Sequence, residues 1–120
     1  MADIPATLTT DLVPDAVRTV IRLLAPADPD KVSGDQELIG DLGYHSLALA
    51  ELGFTLEDMF CLDPVTPEKA MVMSSVDDIT ALITEALGQG DGRLPEVAEV
   101  RAICAQYGAV WDPEQAAAAT

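Results

Sequence analysis

The sequence is poor in aromatic residues, and this scarcity limits how its core can be built. Its 120 residues include two Phe, two Tyr and one Trp. Leu, Val, Ile and Ala must therefore supply most of the core, and a core of this kind suits packed helices better than a β-sandwich. The length fits one domain with a modest core.

Basic residues are scarce as well: six Lys and Arg stand against 21 Asp and Glu, which gives a formal net charge of −15 at pH 7. This charge repels nucleic acid and anionic membrane, and it favours protein partners with basic surfaces. The chain has no apolar run of bilayer length, and its first residues lack the basic and apolar segments of a signal peptide. We expect a cytoplasmic protein that binds neither nucleic acid nor membrane.

Potential metal ligands are few. Cys61 and Cys104 lie far apart, and the chain has one histidine, so no zinc spacing is present and two reduced thiols are expected. An aspartate-rich stretch that starts at Asp28 resembles a calcium loop, but Val32 and Ile39 occupy positions where such a loop needs oxygen ligands. We predict no metal site.

Apolar periodicity predicts an all-α fold. A first helix ends at Pro26, and the loop that follows, residues 25–45, is rich in Asp, Gly and Pro. Loops of this length inside a compact domain are uncommon and often functional. We expect Leu38, Ile39 and Leu42 to hold it against the core.

Three more helices complete the predicted bundle of residues 1–88. They run from about Ser46 to Phe60, over a short segment at 66–70, and from about 76 to 88 with Ser74 or Ser75 as the N-cap.

Residues 89–120 are predicted to form a linker and a C-terminal extension, which is helical or partly disordered. The glycine-rich segment 88–93 indicates a flexible break, and the tail from Trp111 onward is expected to be frayed. Between them, four residues share one face of a predicted fifth helix: Val97, Val100, Cys104 and Tyr107. This stripe either folds back on the bundle or docks a partner, and Trp111 would anchor either arrangement.

Successive residues of an α-helix are rotated by about 100° around its axis. At this spacing the apolar residues of the second helix fall on two faces. The predicted core face consists of Leu49, Leu52, Leu56, Met59 and Phe60. The opposite face carries an apolar strip flanked by acids: Leu47, Ala50 and Phe54 with Glu51, Glu57 and Asp58. Such a strip is typical of a docking surface, and the alternative is that the fifth helix or the long loop covers it.

Ser46 begins this helix behind a turn that contains Gly43. A hydrolase is disfavoured, because the neighbouring His45 would diverge from Ser46 on a helix and the G-x-S-x-G pattern is absent. Two interpretations remain. Ser46 is a helix N-cap, or it is displayed to accept a phosphate-linked group, which the positive end of a helix would stabilise.

Residues 41–47 read Asp-Leu-Gly-x-x-Ser-Leu and resemble the signature of acyl carrier proteins, whose serine bears 4′-phosphopantetheine. The resemblance extends into the second helix and into the opening of the fourth, at Glu51, Leu52, Leu56, Glu57, Phe60, Ser75, Val76, Asp78 and Ile79. It covers about residues 11–88, in the order of a four-helix bundle with a long first loop and a short third helix.

The resemblance implies a carrier without catalytic residues of its own. A phosphopantetheinyl transferase would load Ser46, which is flanked by Asp41, Leu42, Gly43, His45 and Leu47. The arm would hold acyl groups as thioesters, and synthase enzymes such as a ketosynthase or an acyltransferase would meet the monomeric carrier through basic surfaces. The residues expected at that contact are Leu47, Ala50, Glu51, Phe54, Glu57 and Asp58.

His45 departs from the family, which usually has Asp there to help dock the transferase and its metal. We therefore expect a transferase of broad specificity, and polyketide or specialised fatty-acyl biosynthesis as the pathway. One alternative is a peptidyl carrier with the same fold and cofactor and an aminoacyl cargo. Another is a non-enzymatic helical adaptor, in which Ser46 is only a cap.

Overall fold

The computed structural model describes residues 7–63 and 73–112. Their regular structure is a 3₁₀ turn and four α-helices: Thr10–Leu12, then α1 Val13–Leu24, α2 Ser46–Phe60, α3 Val76–Gly88 and α4 Val97–Gln106. Within these residues there is no β-strand, and backbone pairing outside helices and turns is limited to two isolated bridges. The predicted all-α fold is confirmed, while the short helix expected over 66–70 lies outside the described residues.

Helix α1 is the centre of the bundle, because α2, α3 and α4 all pack against it. Its buried residues recur at helical spacing: Val13, Ala16, Val17, Val20, Ile21 and Leu24. Pro14 lies in the first turn, where the missing N–H would have no helical partner in any case. The helix ends one residue before Ala25, just ahead of Pro26, as the sequence predicts.

The long loop between α1 and α2 is held to the core by buried side chains. Leu38 and Leu42 are 3% and 0% exposed, which confirms their predicted role. The prediction for Ile39 was wrong, since this side chain is 68% exposed. Neighbouring residues in a turn point in different directions, so Ile39 cannot follow Leu38 inward, and the third buried anchor is Tyr44, which is 2% exposed.

Tyr44 also makes a buried hydrogen bond, in which its hydroxyl donates to the Ile21 carbonyl at 2.6 Å. That carbonyl belongs to the last turn of α1 and lacks its helical partner, because the Ala25 N–H donates to Arg22 instead. Burial, with a smaller contribution from Tyr107, raises the pKa of the Tyr44 hydroxyl above its usual range. The hydroxyl therefore remains a protonated donor.

The C-terminal extension folds back on the bundle. Val97, Val100 and Cys104 are buried, and α4 packs against α1. Trp111 is 4% exposed, and its Nε1 donates to Asp15 Oδ2 at 2.9 Å. The expectation of a frayed tail was therefore wrong for Trp111, and residues 113–120 lie outside the described part.

The segment predicted as a flexible break is attached to the end of α2. The Arg93 N–H donates to the Phe60 carbonyl at 2.7 Å. Gly92 has a φ of 72°, and a Cβ there would approach Phe60 O to 2.6 Å. A glycine is required at this position for both reasons, and the contact fixes where α4 begins relative to α2.

Helix α3 begins with a reciprocal cap. The Ser75 hydroxyl accepts from the Asp78 N–H at 3.2 Å, and Asp78 Oδ2 accepts from the N–H groups of Ser74 and Ser75 at 2.9 and 3.0 Å. Ser75 is thus the N-cap, one of the two residues predicted. The backbone hydrogen bonds from Ser74 and Ser75 hold the pKa of the Asp78 carboxyl below its usual value of 3.8.

Removing this cap is expected to give a pH-dependent loss of stability. Ser75→Ala should lower the free energy of unfolding by about 1 kcal/mol, and Asp78→Ala should lower it at neutral pH. Because the pKa of Asp78 is lowered on folding, its contribution is present above a pH of about 3.8 and is lost as the pH falls through the folded value. Urea denaturation at neutral and acidic pH measures the difference.

The control for this experiment is Asp91→Ala, since Asp91 is exposed and outside the cap. A gap between Asp78→Ala and the wild type that stays constant on acidification would contradict the role of the carboxylate.

Tyr44→Phe tests the attachment of the long loop. It leaves the buried Ile21 carbonyl without a donor, so we expect a loss of about 1–3 kcal/mol in the free energy of unfolding. Tyr107→Phe removes the hydroxyl of a tyrosine that is 44% exposed and should have little effect. Chemical denaturation of both variants checks this, and equal losses would show that the Tyr44–Ile21 hydrogen bond does not stabilise the fold.

Candidate functional site

Ser46 is exposed at the first position of α2, and it is not the cap of that helix. The N-cap is His45, whose Nδ1 accepts a hydrogen bond from the Ala48 N–H at 3.4 Å. The interpretation of Ser46 as an N-cap was therefore wrong, because its neighbour performs that function. No hydrogen bond to Ser46 Oγ occurs within the described residues, and this leaves the hydroxyl accessible.

The backbone at this helix start suits an anionic group. The first two N–H groups of α2 with acceptors are those of Ala48 and Leu49. The Ala48 N–H donates to His45 Nδ1, and the Leu49 N–H donates to the His45 carbonyl at 2.8 Å. In the described part of the chain the N–H groups of Ser46 and Leu47 have no partner, so they point to solvent at the positive end of the helix dipole. This donor set fits a phosphate ester carried on Ser46 Oγ.

The turn before the serine is shaped by three residues of the signature. Asp41 Oδ2 accepts from the Glu37 N–H at 2.8 Å, which closes the turn on itself. Leu42 is fully buried, so it acts through the position of the loop and not through a surface contact. Gly43 has a φ of 76°, and a Cβ there would meet Ala27 N at 3.3 Å. Asp41, Leu42 and Gly43 therefore fix the loop that presents the serine.

Tyr44 belongs to the same support, and the sequence had given it no role. Its burial depends on α1, because its hydrogen-bond partner Ile21 lies 23 residues earlier in the chain. A tyrosine inside a polar loop carries no periodic pattern that would mark it as buried. Its position one residue before the N-cap is the one available signal.

The two faces of α2 are divided largely as predicted. Four of the residues expected in the core are buried: Leu52, Leu56, Met59 and Phe60. Ala48 is buried as well. Leu49 is half-buried because it lines a cleft between α2 and α3.

The apolar strip on the opposite face, Leu47, Ala50 and Phe54, is exposed, and we call it the α2 strip. Leu47 and Phe54 are 69% and 71% exposed, so neither α4 nor the long loop covers them. Glu51 and Asp58 are exposed beside the strip, and Glu57 is half-buried. The strip is an apolar surface bordered by negative charge, which is the arrangement of a docking site with a polar rim.

The cleft between α2 and α3 has a volume of about 280 Å³. Aliphatic and aromatic side chains form most of its described lining, including Leu38, Leu49, Leu52, Phe54, Ile79 and Ile83. Glu57 is the charged residue among the described lining. The cleft can therefore accept an apolar chain.

Among the described residues, no side chain that could act as a base is hydrogen-bonded to Ser46 Oγ. His45 Nδ1 is engaged by the Ala48 N–H, so that nitrogen is not available to take a proton from Ser46.

Among residues 7–63 and 73–112 no group of three potential ligands is placed to hold a metal ion. None of the helices in the same ranges is long and apolar enough to cross a membrane.

Comparison with known proteins assigns the family. No family model matches the chain, and no solved structure matches it. A curated acyl carrier protein from Akkermansia muciniphila is 34% identical over 76 residues, which are 63% of this chain and 94% of that protein. The alignment thus spans nearly the whole of the relative, and the helical bundle observed here is consistent with it. On this similarity the chain belongs to the acyl carrier protein family.

Proposed function

We propose that Ser46 is the attachment site of 4′-phosphopantetheine and that the chain presents acyl groups to polyketide or specialised fatty-acyl synthase enzymes. Membership of the family supports a carrier role in general terms. The observation that carries the proposal is the exposed Ser46 hydroxyl at the first position of α2, left without a hydrogen bond in the described structure because His45 caps the helix.

The residues around Ser46 have two roles in the modified protein, binding the phosphodiester and positioning the loop. The N–H groups of Ser46 and Leu47 bind the phosphodiester, and the helix dipole favours its negative charge. Asp41, Leu42 and Gly43 keep the loop in place, so the serine stays at the surface. The bound group supplies a thiol on a flexible arm, which holds acyl cargo as a thioester.

The cleft between α2 and α3 favours an acyl cargo over an aminoacyl one. Its described lining is apolar apart from Glu57. Each methylene that moves from water into such a cleft gains about 0.8 kcal/mol, whereas a charged amino group would lose hydration there. A peptidyl carrier therefore has weaker support.

Partner enzymes dock on the α2 strip. Leu47, Ala50 and Phe54 offer an exposed apolar contact, and the acids Glu51, Glu57 and Asp58 attract basic surfaces. The net charge of −15 strengthens this attraction at long range. Charges at a rim of this kind raise the association rate more than the final affinity, which suits transient encounters with a transferase, a ketosynthase or an acyltransferase.

Loading of Ser46 is tested by intact mass. After incubation with coenzyme A and a broad-specificity phosphopantetheinyl transferase, the wild type should gain the mass of one phosphopantetheinyl group. Ser46→Ala should gain nothing, because the acceptor hydroxyl is missing. Ser33→Ala removes another exposed serine hydroxyl, one that donates to Asp35, and should be loaded like the wild type.

Two results would contradict the proposal. Loading that persists in Ser46→Ala would move the site elsewhere, and a wild type that no transferase loads would favour the helical adaptor.

The identity of residue 45 is expected to affect which transferase loads the chain. His45→Asp restores the usual family residue and keeps a good N-cap, so we expect faster loading by a transferase of primary fatty-acid synthesis. His45→Asn is the matched control, since it caps the helix without the charge. Initial loading rates separate the two effects: a gain shared by both variants indicates capping, and an unchanged His45→Asp rate removes the charge from recognition.

A further inference from the structure

A second groove lies along α2, between this helix and the C-terminal helix α4. Its volume is about 650 Å³, and both helices contribute to its lining: Phe54, Glu57, Asp58, Ile103, Gln106 and Tyr107. Phe54 and Glu57 also line the cleft between α2 and α3, so they form the ridge that separates the cleft from the groove. The extension thus borders the same part of α2 that carries the exposed α2 strip.

Both walls of the groove present apolar surface. Phe54 is 71% exposed on the α2 side, and Tyr107 is 44% exposed on the α4 side. Ile103 is half-buried beside Tyr107. Tyr107 does not follow Val97, Val100 and Cys104 into the core, although it lies on their side of the helix in the sequence pattern, so it faces the groove.

The wall formed by α4 is held in place from both ends. Trp111 Nε1 donates to Asp15 Oδ2 at 2.9 Å after the helix, and the Arg93 N–H donates to the Phe60 carbonyl before it. This wall of the groove is therefore preorganised for binding. Binding therefore costs little ordering entropy on this side of the interface.

The charge of the groove is negative. Glu57 and Asp58 line it, and its described lining contains no cation. Two arginines near α4 have contacts outside the groove lining. Arg93 Nε donates to Cys61 Sγ and its Nη2 lies 3.7 Å from Glu99 Oε1, while Arg101 Nε donates to the Trp111 carbonyl. The groove therefore attracts basic groups and combines this attraction with two exposed aromatic side chains.

We propose that this groove docks a basic, apolar-tipped segment of an acyl-processing enzyme. The segment places an aliphatic or aromatic side chain between Phe54 and Tyr107 and sets Lys or Arg beside Glu57 and Asp58. The inference rests on the proposed carrier function, and it gives the extension a specific role as one wall of the partner surface. Phe54 lies ~12 Å along α2 from Ser46, given a rise of about 1.5 Å per residue, so a partner can hold the groove without covering the serine.

The test is an NMR titration of the ¹⁵N-labelled full chain with a synthetic amphipathic peptide of Leu and Lys. A peptide of equal length made of Leu and Glu is the control. The basic peptide should shift amide signals on both walls, at Asp58 and at Tyr107, and added salt should weaken binding. Shifts confined to Leu47 and Ala50, or equal binding of the acidic peptide, would overturn the proposal.

Matched variants sharpen the result. Tyr107→Ala should weaken binding of the basic peptide about fivefold or more, as truncation of an aromatic anchor does. Val110→Ala truncates a side chain that is 96% exposed and outside the groove lining, so its affinity should match the wild type. Asp58→Asn tests the charge without removing apolar surface, and it should weaken binding and reduce its dependence on salt. Wild-type affinity in both Tyr107→Ala and Asp58→Asn would refute the groove.

Other occupants give recognisable outcomes. The same amide signals shifting with protein concentration alone, together with dimer formation in sedimentation, would assign the groove to a second copy of the chain. A variant that ends at Asp112 and binds the peptide about tenfold more tightly than the full chain would assign it to the chain's own tail. Either result overturns the proposal.

Loading at Ser46, measured by intact mass on the same samples, keeps the two proposals apart. A chain that is loaded but does not bind the basic peptide in the groove remains a carrier, and the groove proposal alone fails. A chain that binds the peptide but is never loaded is a helical adaptor, and the carrier proposal fails.

Discussion

The position of Ser46 depends on how the long loop before it is fastened to α1. Tyr44 attaches the loop to α1, because its buried hydroxyl donates to the Ile21 carbonyl. Its side chain belongs to the same buried core as Leu38 and Leu42. A hydrogen bond inside the core has no competing water, so breaking it leaves a buried carbonyl unsatisfied. The loop therefore reaches α2 from one fixed direction, and the serine that follows is held at the surface.

Capping by His45 has a consequence for chemistry. An N-cap normally uses its own side chain to satisfy the helix start, and a serine in that role would have its oxygen occupied. Here His45 Nδ1 accepts the hydrogen bond from the Ala48 N–H, and Ser46 occupies the first helical position. In the described structure the Ser46 hydroxyl and two backbone N–H groups are left without hydrogen-bond partners, which is what the proposed attachment of a phosphate-linked group requires.

Helix α2 connects this serine to two separate recesses. The apolar cleft toward α3 suits a hydrocarbon chain, and the acidic groove toward α4 suits a basic partner, with Phe54 on the ridge between them. The division follows from the two neighbours of α2, since each contributes a different wall. An extension that packs on α1 through Val97, Val100 and Cys104 thus adds core, and it also adds one wall of the groove in which we propose that a partner docks.

Local sequence determined the parts of this protein that local physics governs. Periodicity located α1 and α2, and periodicity together with the Ser75 cap located α3. The spacing along α2 separated the buried Leu52 and Leu56 from the exposed Phe54. Tertiary contacts decided the rest: the burial of Tyr44, the exposure of Ile39, and the attachment of Trp111 to Asp15. These depend on side chains distant in the chain meeting in space, and a pattern repeating every three to four residues carries no information about such meetings.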